Sequence, residues 1–395
     1  MTNQGPNEPG QAASTEPIHR RISQRISAQI GDGRYPGGSR LPSEAKLAIE
    51  FGVSRGTLRQ ALATLQRDGR IQAIPSRGHF VRAPAPIRAE ARRRQVGVVV
   101  PSVAKPYVPD ILVGIEDELH IRGYTMVVGS SGASGEQQAG RVQRILDDGA
   151  SGLIAYPVDY EADPALFAGL SEAGFPVVLI DRYLVGHTFD AVISDNLGGA
   201  YTAVRHLLEQ GHRRVAFVST DNLSTTSVAE RLQGYRQALV DAGVEPDASL
   251  QYTKLPVAAA WPAPDASSEK NARRIAAFLT RTRPTAVFAL HDHIAVDVLA
   301  AASEVGMRIP DDLALVGFDD DPFAKALAVP LSTVAQPRER MGRVAASLVL
   351  DRIEGQRTEV ARMVLPTALI LRRSSERRGT EVLPEGQPEA QTASA

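Results

Sequence analysis

The chain has no cysteine, no long apolar run and almost no net charge. The absence of cysteine excludes thiol catalysis, thiolate metal sites and disulfides, and it fits a reducing compartment. The apolar runs, such as 96–100 and 176–180, have the length of strands and fall far short of the roughly 20 residues that a membrane-spanning helix needs. Residues 1–17 are polar and do not resemble a signal peptide. We therefore expect a cytoplasmic, soluble protein with no membrane partner.

The charge is unevenly distributed, although the net value is only −1. Residues 1–94 contain 16 lysines and arginines against 7 acidic residues, and the remainder contains 28 against 38. A basic first quarter favours contact with a polyanion. A solvated, arginine-rich surface would have the same composition, so composition alone leaves both interpretations open.

The 395 residues are too many for one hydrophobic core, so several domains are expected. The patterns divide the chain into a polar tail over 1–16, a helical module with a hairpin over 17–82, a Pro/Ala/Arg linker over 83–94, an α/β module over 95–372 and a second polar tail over 373–395. We expect both tails to be disordered. The predicted fold class is therefore multidomain, α followed by α/β.

The first module shows the pattern of a helix-turn-helix followed by a hairpin. A first helix is predicted from isoleucines that recur every four residues, at Ile18, Ile22, Ile26 and Ile30. Two short helices follow, joined by "GVS", with Ser43 and Ser54 as N-caps and Gly52 in the turn. "RIQAIPSRGHFVRA" then predicts two short strands.

The second helix of this pair has the character of a DNA-recognition helix, since its first turn carries polar and cationic side chains. The candidate DNA-contacting residues lie at helix starts or at the hairpin tip: Ser43, Ser54, Arg55, Gly56, Thr57, Arg59, Arg77 and Gly78. The alternative is a three-helix bundle with capping serines and solvated arginines. The hairpin, the basic charge and the linker favour double-stranded DNA as the partner.

The stretch "LPSEAKLAIEFGVSRGTLRQALATLQRDGRIQAIPSRGHFV" resembles the DNA-binding domain of the GntR family. The resemblance implies a winged helix-turn-helix that binds a palindromic operator as a dimer. The family's usual DNA contacts correspond to Ser54, Arg55, Thr57, Arg59 and the wing around Arg77 and Gly78. Ala45 stands where many members have a basic residue, which removes one expected contact. Gly56 stands where Thr or Ser is common, and it weakens the recognition helix by about 0.5–1 kcal/mol relative to alanine.

The second module alternates apolar strands with amphipathic stretches, which predicts parallel sheets arranged as two α/β lobes. Polar residues follow several strands, where parallel sheets bind ligands. Asp181, Asp319 and Arg231 are interpreted as contacts to a small, hydroxyl-rich molecule. Asp195 and Asp292 are interpreted as helix caps. No nucleophile–base pair, cofactor motif or metal-ligand spacing is found, so no enzyme activity, cofactor or metal is predicted.

Segments including "VISDNLGGAYTAVRHLLEQGHRRVAFVS" and "VGFDDDPFAKALAVPLSTVAQP" make residues 95–372 resemble the effector domain of LacI-type repressors and periplasmic sugar-binding proteins. The resemblance implies one lobe from 95–193 and 337–356 and another from 194–336 and 357–372, with crossovers near 193–195, 336–337 and 355–360. It also implies dimerisation through this domain. The candidate effector-binding residues are Lys105, Tyr107, Asp181, Arg182, Arg231, His291, Asp319 and Gln336.

Some features depart from that resemblance. Lys105 and His291 stand where asparagine is usual and would admit an acidic or phosphorylated sugar if both were cationic; Lys105 pointing to solvent at the cleft rim is the favoured alternative. Tyr107 is either a stacking surface for a sugar or a core aromatic. Residues 251–267 form an insertion of unassigned position.

The two modules predict a ligand-responsive transcriptional regulator, and the two resemblances imply that it represses carbohydrate-utilisation genes and responds to a sugar-like effector. The alternatives are a solute-binding protein of a transport system, which the basic module argues against, and an enzyme built on the α/β module.

Overall fold

A computed structural model of the protein describes residues 17–74, 77–82, 94–132, 134–158, 163–257 and 265–376. The chain divides into two compact units, one up to Ala91 and one from Arg92. Both polar tails, apart from 373–376, lie outside the described residues, as do Ser76 at the hairpin tip, most of the predicted linker and the segment with Trp261.

The first unit is the predicted helix-turn-helix with a hairpin. Its elements are α1 (Ile18–Gly31), α2 (Glu44–Phe51), α3 (Arg55–Arg67), β1 (Ile71–Ile74) and β2 (Gly78–Val81). Ile26, Leu47 and Leu58 are fully buried, which confirms the apolar stripes except at Ile18, the first residue of α1, which is 57% exposed. Each predicted serine cap accepts a backbone N–H bond. Gly52 has a φ of 63°, a conformation that glycine adopts without steric cost.

The second unit contains two parallel α/β lobes, as the strand pattern predicts. The first lobe has a fully parallel sheet in the order β13-β7-β6-β5-β3-β4. Its strands are β3 (Gln95–Val100), β4 (Thr125–Ser130), β5 (Gly152–Ala155), β6 (Val177–Ile180), β7 (Asp190–Ser194) and β13 (Arg362–Leu365). Its helices are α4 (Val108–Ile121), α5 (Gly135–Asp147), α6 (Asp163–Glu172) and α11 (Arg338–Ile353). The central strands β5, β6 and β7 are wholly buried because helices cover both faces, whereas the edge strands β4 and β13 are largely exposed or half-buried.

The second lobe has the sheet order β14-β12-β11-β10-β8-β9, in which β14 alone runs antiparallel to its neighbour. Its strands are β8 (Val215–Thr220), β9 (Gln251–Leu255), β10 (Ala286–Ala289), β11 (Ala314–Asp319), β12 (Ser332–Ala335) and β14 (Ala368–Ile370). Its helices are α7 (Asn196–Glu209), α8 (Thr226–Asp241), α9 (Asp265–Thr282) and α10 (Asp292–Glu304). One continuous apolar core fills this lobe.

The chain passes between the lobes three times. The first two crossings, from β7 to α7 and from β12 to α11, lie where they were expected. The third expectation, at 355–360, is wrong. Residues 362–365 still pair with β7 of the first lobe, and the chain crosses only at 366–367, before β14.

Two further expectations need correction. Residues 373–376 are not part of a disordered tail, because Ser374 and Ser375 are buried in the second lobe. The Ser374 hydroxyl donates to the Leu315 carbonyl over 2.6 Å. Residues 251–255, expected to belong to an insertion, form the edge strand β9.

The first lobe depends on a close contact between α4 and α11. A Cβ on Gly114 would lie 2.0 Å from the Glu339 carbonyl oxygen, and one on Gly342 would lie 2.0 Å from the Ile111 carbonyl oxygen. Only hydrogen side chains allow the two backbones to approach this closely. The two helices therefore pack through their main chains at this crossing.

Gly114→Ala is expected to lower the free energy of unfolding by about 1–3 kcal/mol, because the methyl group forces α4 and α11 apart. Gly140→Ala is the matched control, since nothing lies within 4 Å of its Cβ position in α5. That variant should gain about 0.5–1 kcal/mol from helix propensity. Urea unfolding followed by circular dichroism measures both; equal stabilities for the two variants would contradict the close contact.

Within the described parts of the chain, no helix has the length and apolar character needed to cross a membrane.

Candidate functional site

The two arginines at the start of α3 are exposed but differ in their contacts. Arg59 donates through Nε to the Glu44 carboxylate over 2.8 Å. No ion pair of Arg55 occurs among the described residues. The Arg55 guanidinium is therefore available to an external anion. Arg59 must first release the Glu44 carboxylate before it can bind one.

Glu44 connects α2, α3 and the hairpin. Besides Arg59, its carboxylate lies 3.6 Å from Nε2 of His79 on β2. The hydrogen bond from Arg59 is the main reason that the pKa of Glu44 lies below its usual value. Glu44 thus holds the recognition helix and the hairpin in register.

The serine caps also orient the first turn of α3. The Ser54 hydroxyl accepts from the Thr57 amide over 3.2 Å and lies 2.9 Å from the Thr57 hydroxyl. Gly56 is exposed between them, and a Cβ there would meet only the Ser54 hydroxyl at 3.7 Å. The turn leaves an open, polar surface with free helix N–H groups that suits a phosphate.

The second-lobe half of the cleft is built around Arg231, which extends from α8 and is 6% exposed. Its Nε donates to Asn196 Oδ1 over 3.0 Å and one Nη donates to the Leu290 carbonyl over 2.7 Å. The other Nη lies 3.5 Å from Asp319, and the guanidinium stacks 3.7 Å from the centre of the Phe318 ring. These contacts leave Arg231 one orientation.

Asp319 lies at the carboxyl end of β11 and is held from several sides. Gln336 donates from Nε2 to Asp319 Oδ1 over 2.6 Å, and Ser194 donates to Gln336 Oε1 over 2.6 Å. Ser194, Asp319 and Gln336 therefore link two crossings. Burial is the main reason that the pKa of Asp319 rises to about 6, against the lowering effect of Arg231.

The first-lobe half is a cluster of two tyrosines and an ion pair. Arg182 donates from Nε to Asp181 over 3.1 Å and also bonds to the Tyr156 hydroxyl. Tyr107 donates to that hydroxyl over 3.1 Å, and the two rings stack with centroids 6.0 Å apart. Tyr107 is thus both packed against the first-lobe core and part of the cleft wall.

Both strand-end aspartates have strained backbones. Asp181 has a φ of 68° and Asp319 a φ of 110°, values that non-glycine residues seldom adopt. Such strain concentrates at binding and catalytic sites, where the surrounding fold imposes it. The shared strain marks the two residues as a matched pair across the cleft.

Lys105 lies inside the cleft rather than at a solvent-facing rim. It is half-buried, and its ammonium lies 5.9 Å from the centre of the Tyr107 ring. Burial lowers the pKa of Lys105, and the neighbouring Arg182 lowers it further, while Asp181 and Asp319 oppose both effects. The expectation of a solvent-pointing lysine is therefore wrong.

His291 is a neutral helix cap, which corrects two expectations. Its Nδ1 accepts from the Ile294 amide, and burial lowers the pKa of His291 to about 3. It is thus not a cation at neutral pH. Asp292, expected to be the cap, is instead buried, accepting from the Thr333 hydroxyl over 2.6 Å and from the Asp321 amide over 2.8 Å. The other interpreted cap is confirmed, because Asp195 accepts from the Gly198 amide over 2.8 Å.

The two halves are closed on each other. Asp181, Arg231 and Asp319 are each less than 9% exposed, and the charge of Asp181 acts on Asp319. Beyond the cleft, Tyr183 of the first lobe donates to Glu230 of α8 over 3.0 Å. A pocket of about 530 Å³ is lined by Asp319 and Gln336 together with Asp110 and the first residues of α11, and Arg231 is not among its lining residues.

Each of the eight predicted cleft residues has a hydrogen bond, an ion pair or an electrostatic interaction with at least one other of them. Sequence reasoning missed two residues that hold them, Tyr156 and Phe318; Asn196 was recognised only as a polar residue at a strand end, without its bond to Arg231. Tyr156 directly follows β5, so the rule that located Asp181 would have found it. Nothing in the sequence marks Phe318 as the ring beneath a guanidinium.

Comparison with known proteins matches both units. Residues 18–81 match the family described as bacterial regulatory proteins, gntR family, and residues 204–375 match the periplasmic binding protein-like domain. The chain is 32% identical over 351 residues to the HTH-type transcriptional regulator CelR of Thermobifida fusca, covering 85% of this chain and 98% of that protein. It is 28% identical over 372 residues to the arabinose metabolism transcriptional repressor of Geobacillus stearothermophilus, covering 91% and 98%.

Solved structures show the same likeness. A CelR–cellobiose complex matches with a TM-score of 0.62 and 28% identity, over 85% of this chain and all of that one. The transcription regulator GntR from Chromobacterium violaceum matches with a TM-score of 0.61 and 31% identity, over 71% and 99%.

Proposed function

Since this chain belongs to the bacterial transcription regulators that join a GntR-type helix-turn-helix to a periplasmic-binding-protein-like domain, we propose that it represses carbohydrate-utilisation genes until a sugar binds its cleft. As a member of this family it is a DNA-binding regulator and not an enzyme. Beyond this membership we propose that the ligand is a sugar, that the candidate cleft residues contact it, and that the protein is a dimer.

The observation that carries the proposal is the arrangement of charge in the cleft. Arg231 is paired with Asp319, and Arg182 is paired with Asp181. Such pairs offer donors and acceptors side by side, as vicinal hydroxyl groups require, without a net charge. His291 is neutral, so among the eight candidate residues Lys105 is the one cation without an ion-pair partner. An uncharged sugar therefore fits better than a sugar acid or phosphate.

The closed cleft indicates how binding would be coupled to regulation. A ligand can reach Arg231 only when the lobes move apart, and the three crossings allow such a hinge. A ligand that binds one arrangement of the lobes more tightly shifts the population of dimers that can bind the operator. The coupling free energy between a ligand site and a second binding site is typically about 1–3 kcal/mol. The dimer forms through the α/β domain in this proposal, and each protomer presents one recognition helix to half of a palindromic operator.

The test uses the full chain and a DNA sequence that it selects from a random duplex pool. At about 0.15 M salt it should bind the selected duplex much more tightly than a scrambled one. Neutral mono- and disaccharides, sugar phosphates and sugar acids are then screened for a rise in unfolding temperature and for release of the duplex. If no DNA sequence were enriched, the proposal of a transcriptional regulator would be wrong. If only sugar phosphates or sugar acids produced a response, the proposal of an uncharged sugar would be wrong.

Sugar affinity is expected to weaken about tenfold between pH 7.5 and pH 5, because the Asp319 carboxylate, whose pKa is about 6, becomes protonated and loses acceptor strength. His291, whose pKa is about 3, does not titrate in this range. Isothermal titration calorimetry at both pH values measures the effect. Asp319→Asn should bind weakly at both, and a wild-type affinity that does not change with pH would contradict the role of Asp319.

A further inference from the structure

We propose that Arg40 is a DNA-backbone contact of this protein, forming with Arg77 a phosphate clamp on the hairpin. The proposal rests on the DNA binding proposed above and assigns a contact that neither the recognition helix nor the sequence pattern indicated. Four observations on the first unit carry it.

The first observation is that residue 40 is built into the hairpin. Arg40 forms an isolated antiparallel bridge with Phe80 of β2. The flanking bonds run from the Leu41 amide to the His79 carbonyl over 2.9 Å and from the Val81 amide to the Ser39 carbonyl over 2.9 Å. Arg40 thus lies on a short third strand of the wing, and its backbone is fixed.

The second observation is the position of the guanidinium. Nε and Nη2 of Arg40 each lie 3.4 Å from the place that a Cβ on Gly78 would occupy. Gly78 has a φ of 97°, so a side chain there would be strained. The Arg40 guanidinium therefore lies beside the glycine at the end of the hairpin.

The third observation is that Arg40 is exposed and has no carboxylate partner among the described residues. The same unit does pair other arginines: Arg34 with Glu50 at 2.9 Å and Arg59 with Glu44 at 2.8 Å. A fixed backbone under an uncompensated guanidinium favours an external anion. Guanidinium groups suit phosphate oxygens because their donors are arranged as a planar fork.

The fourth observation is a second cation on the same hairpin. The Arg77 guanidinium lies 6.0 Å from the centre of the Phe80 ring, the residue that pairs with Arg40. Arg77 directly precedes Gly78, beside which the Arg40 guanidinium lies, so both cations belong to the same end of the hairpin, as a clamp on one phosphate or on two adjacent phosphates requires.

Arg40→Gln tests the clamp in the full chain, on the duplex selected by the wild type and on its scrambled counterpart. Removing one phosphate contact should weaken binding to both duplexes about fivefold at 0.15 M salt, since each contact contributes a salt exponent of about 0.9. The slope of log K against log salt should fall in magnitude by about 0.9. Arg40→Lys should restore most of the slope. Arg67→Gln, at the far end of α3, is the control and should change neither quantity.

Arg77→Gln should lower the slope equally, and the double variant by about 1.8. This second variant leaves the Arg40 strand intact, so it tests the clamp even if Arg40→Gln lowers the unfolding temperature. Wild-type affinity and slope in Arg40→Gln would overturn the proposal while leaving the regulator function standing, and so would a loss confined to the selected duplex, because that would indicate base reading. A wild-type chain that binds no duplex would overturn both.

Discussion

Arg231→Ala is expected to abolish the response to effector and to lower the stability of the α/β unit by about 3–5 kcal/mol. The side chain is 6% exposed and its guanidinium contacts Asn196, Leu290, Phe318 and Asp319. Its removal leaves the buried Asp319 carboxylate without its cation and the Leu290 carbonyl without its donor. Such orphaned buried groups cost more than the pair itself contributes.

The two effects of this change can be measured separately. Urea unfolding gives the loss of stability, and binding to the selected duplex with and without sugar gives the response. DNA affinity without sugar should stay near that of the wild type wherever the variant remains folded. Arg205→Ala is the control, since Arg205 forms an exposed pair with Glu209 on α7 and should cost less than 1 kcal/mol. A folded Arg231→Ala protein that still responds to sugar would remove Arg231 from the site.

Arg55→Ala is expected to weaken binding to the selected duplex by about 1–3 kcal/mol, or about 5- to 150-fold, if Arg55 reads a base. The exposed side chain has no ion pair in the described part of the first unit, so the fold should be unaffected. Arg59→Ala should cost less, because Arg59 must first give up the 2.8 Å bond to Glu44. Gel-shift titrations on selected and scrambled duplexes measure both.

The matched control for the recognition helix is Arg67→Ala. Arg67 lies in the last turn of α3, about 18 Å along the helix from Arg55. It should leave DNA affinity unchanged. Equal affinity of the Arg55→Ala, Arg59→Ala and Arg67→Ala variants would show that the first turn of α3 does not face the groove.

Most of the secondary structure could be predicted because its signals are local. Isoleucines four residues apart, serine caps and Gly52 define the first unit, and each acts over one or two helical turns. Strand β9 was missed because "QYTKL" precedes a Pro-rich stretch and was grouped with it. The third crossing was misplaced because the loop at 355–360 looks like a connection, whereas only pairing with β7 shows where the strand belongs.

Candidate residues could be predicted, but their partners could not. The rule for strand ends located Asp181 and Asp319, and the resemblance to known families located Arg231. Whether Lys105 faces solvent and whether His291 is charged depend on burial, which spacing does not encode. Asp292 was interpreted as a cap for the same reason, since capping is the local alternative to a buried network.

The sequence by itself determined that a basic, helical DNA-binding unit precedes an acidic α/β unit whose strands end in polar residues. Both conclusions follow from charge and periodicity, which are properties of neighbouring residues. Only the tertiary structure decided which guanidinium meets which carboxylate. It paired Arg231 with Asp319 and Arg59 with Glu44, and it left Arg40 and Arg55 unpaired in the described first unit. Those contacts join residues far apart in the chain, so they exist only when packing has fixed the elements that carry them.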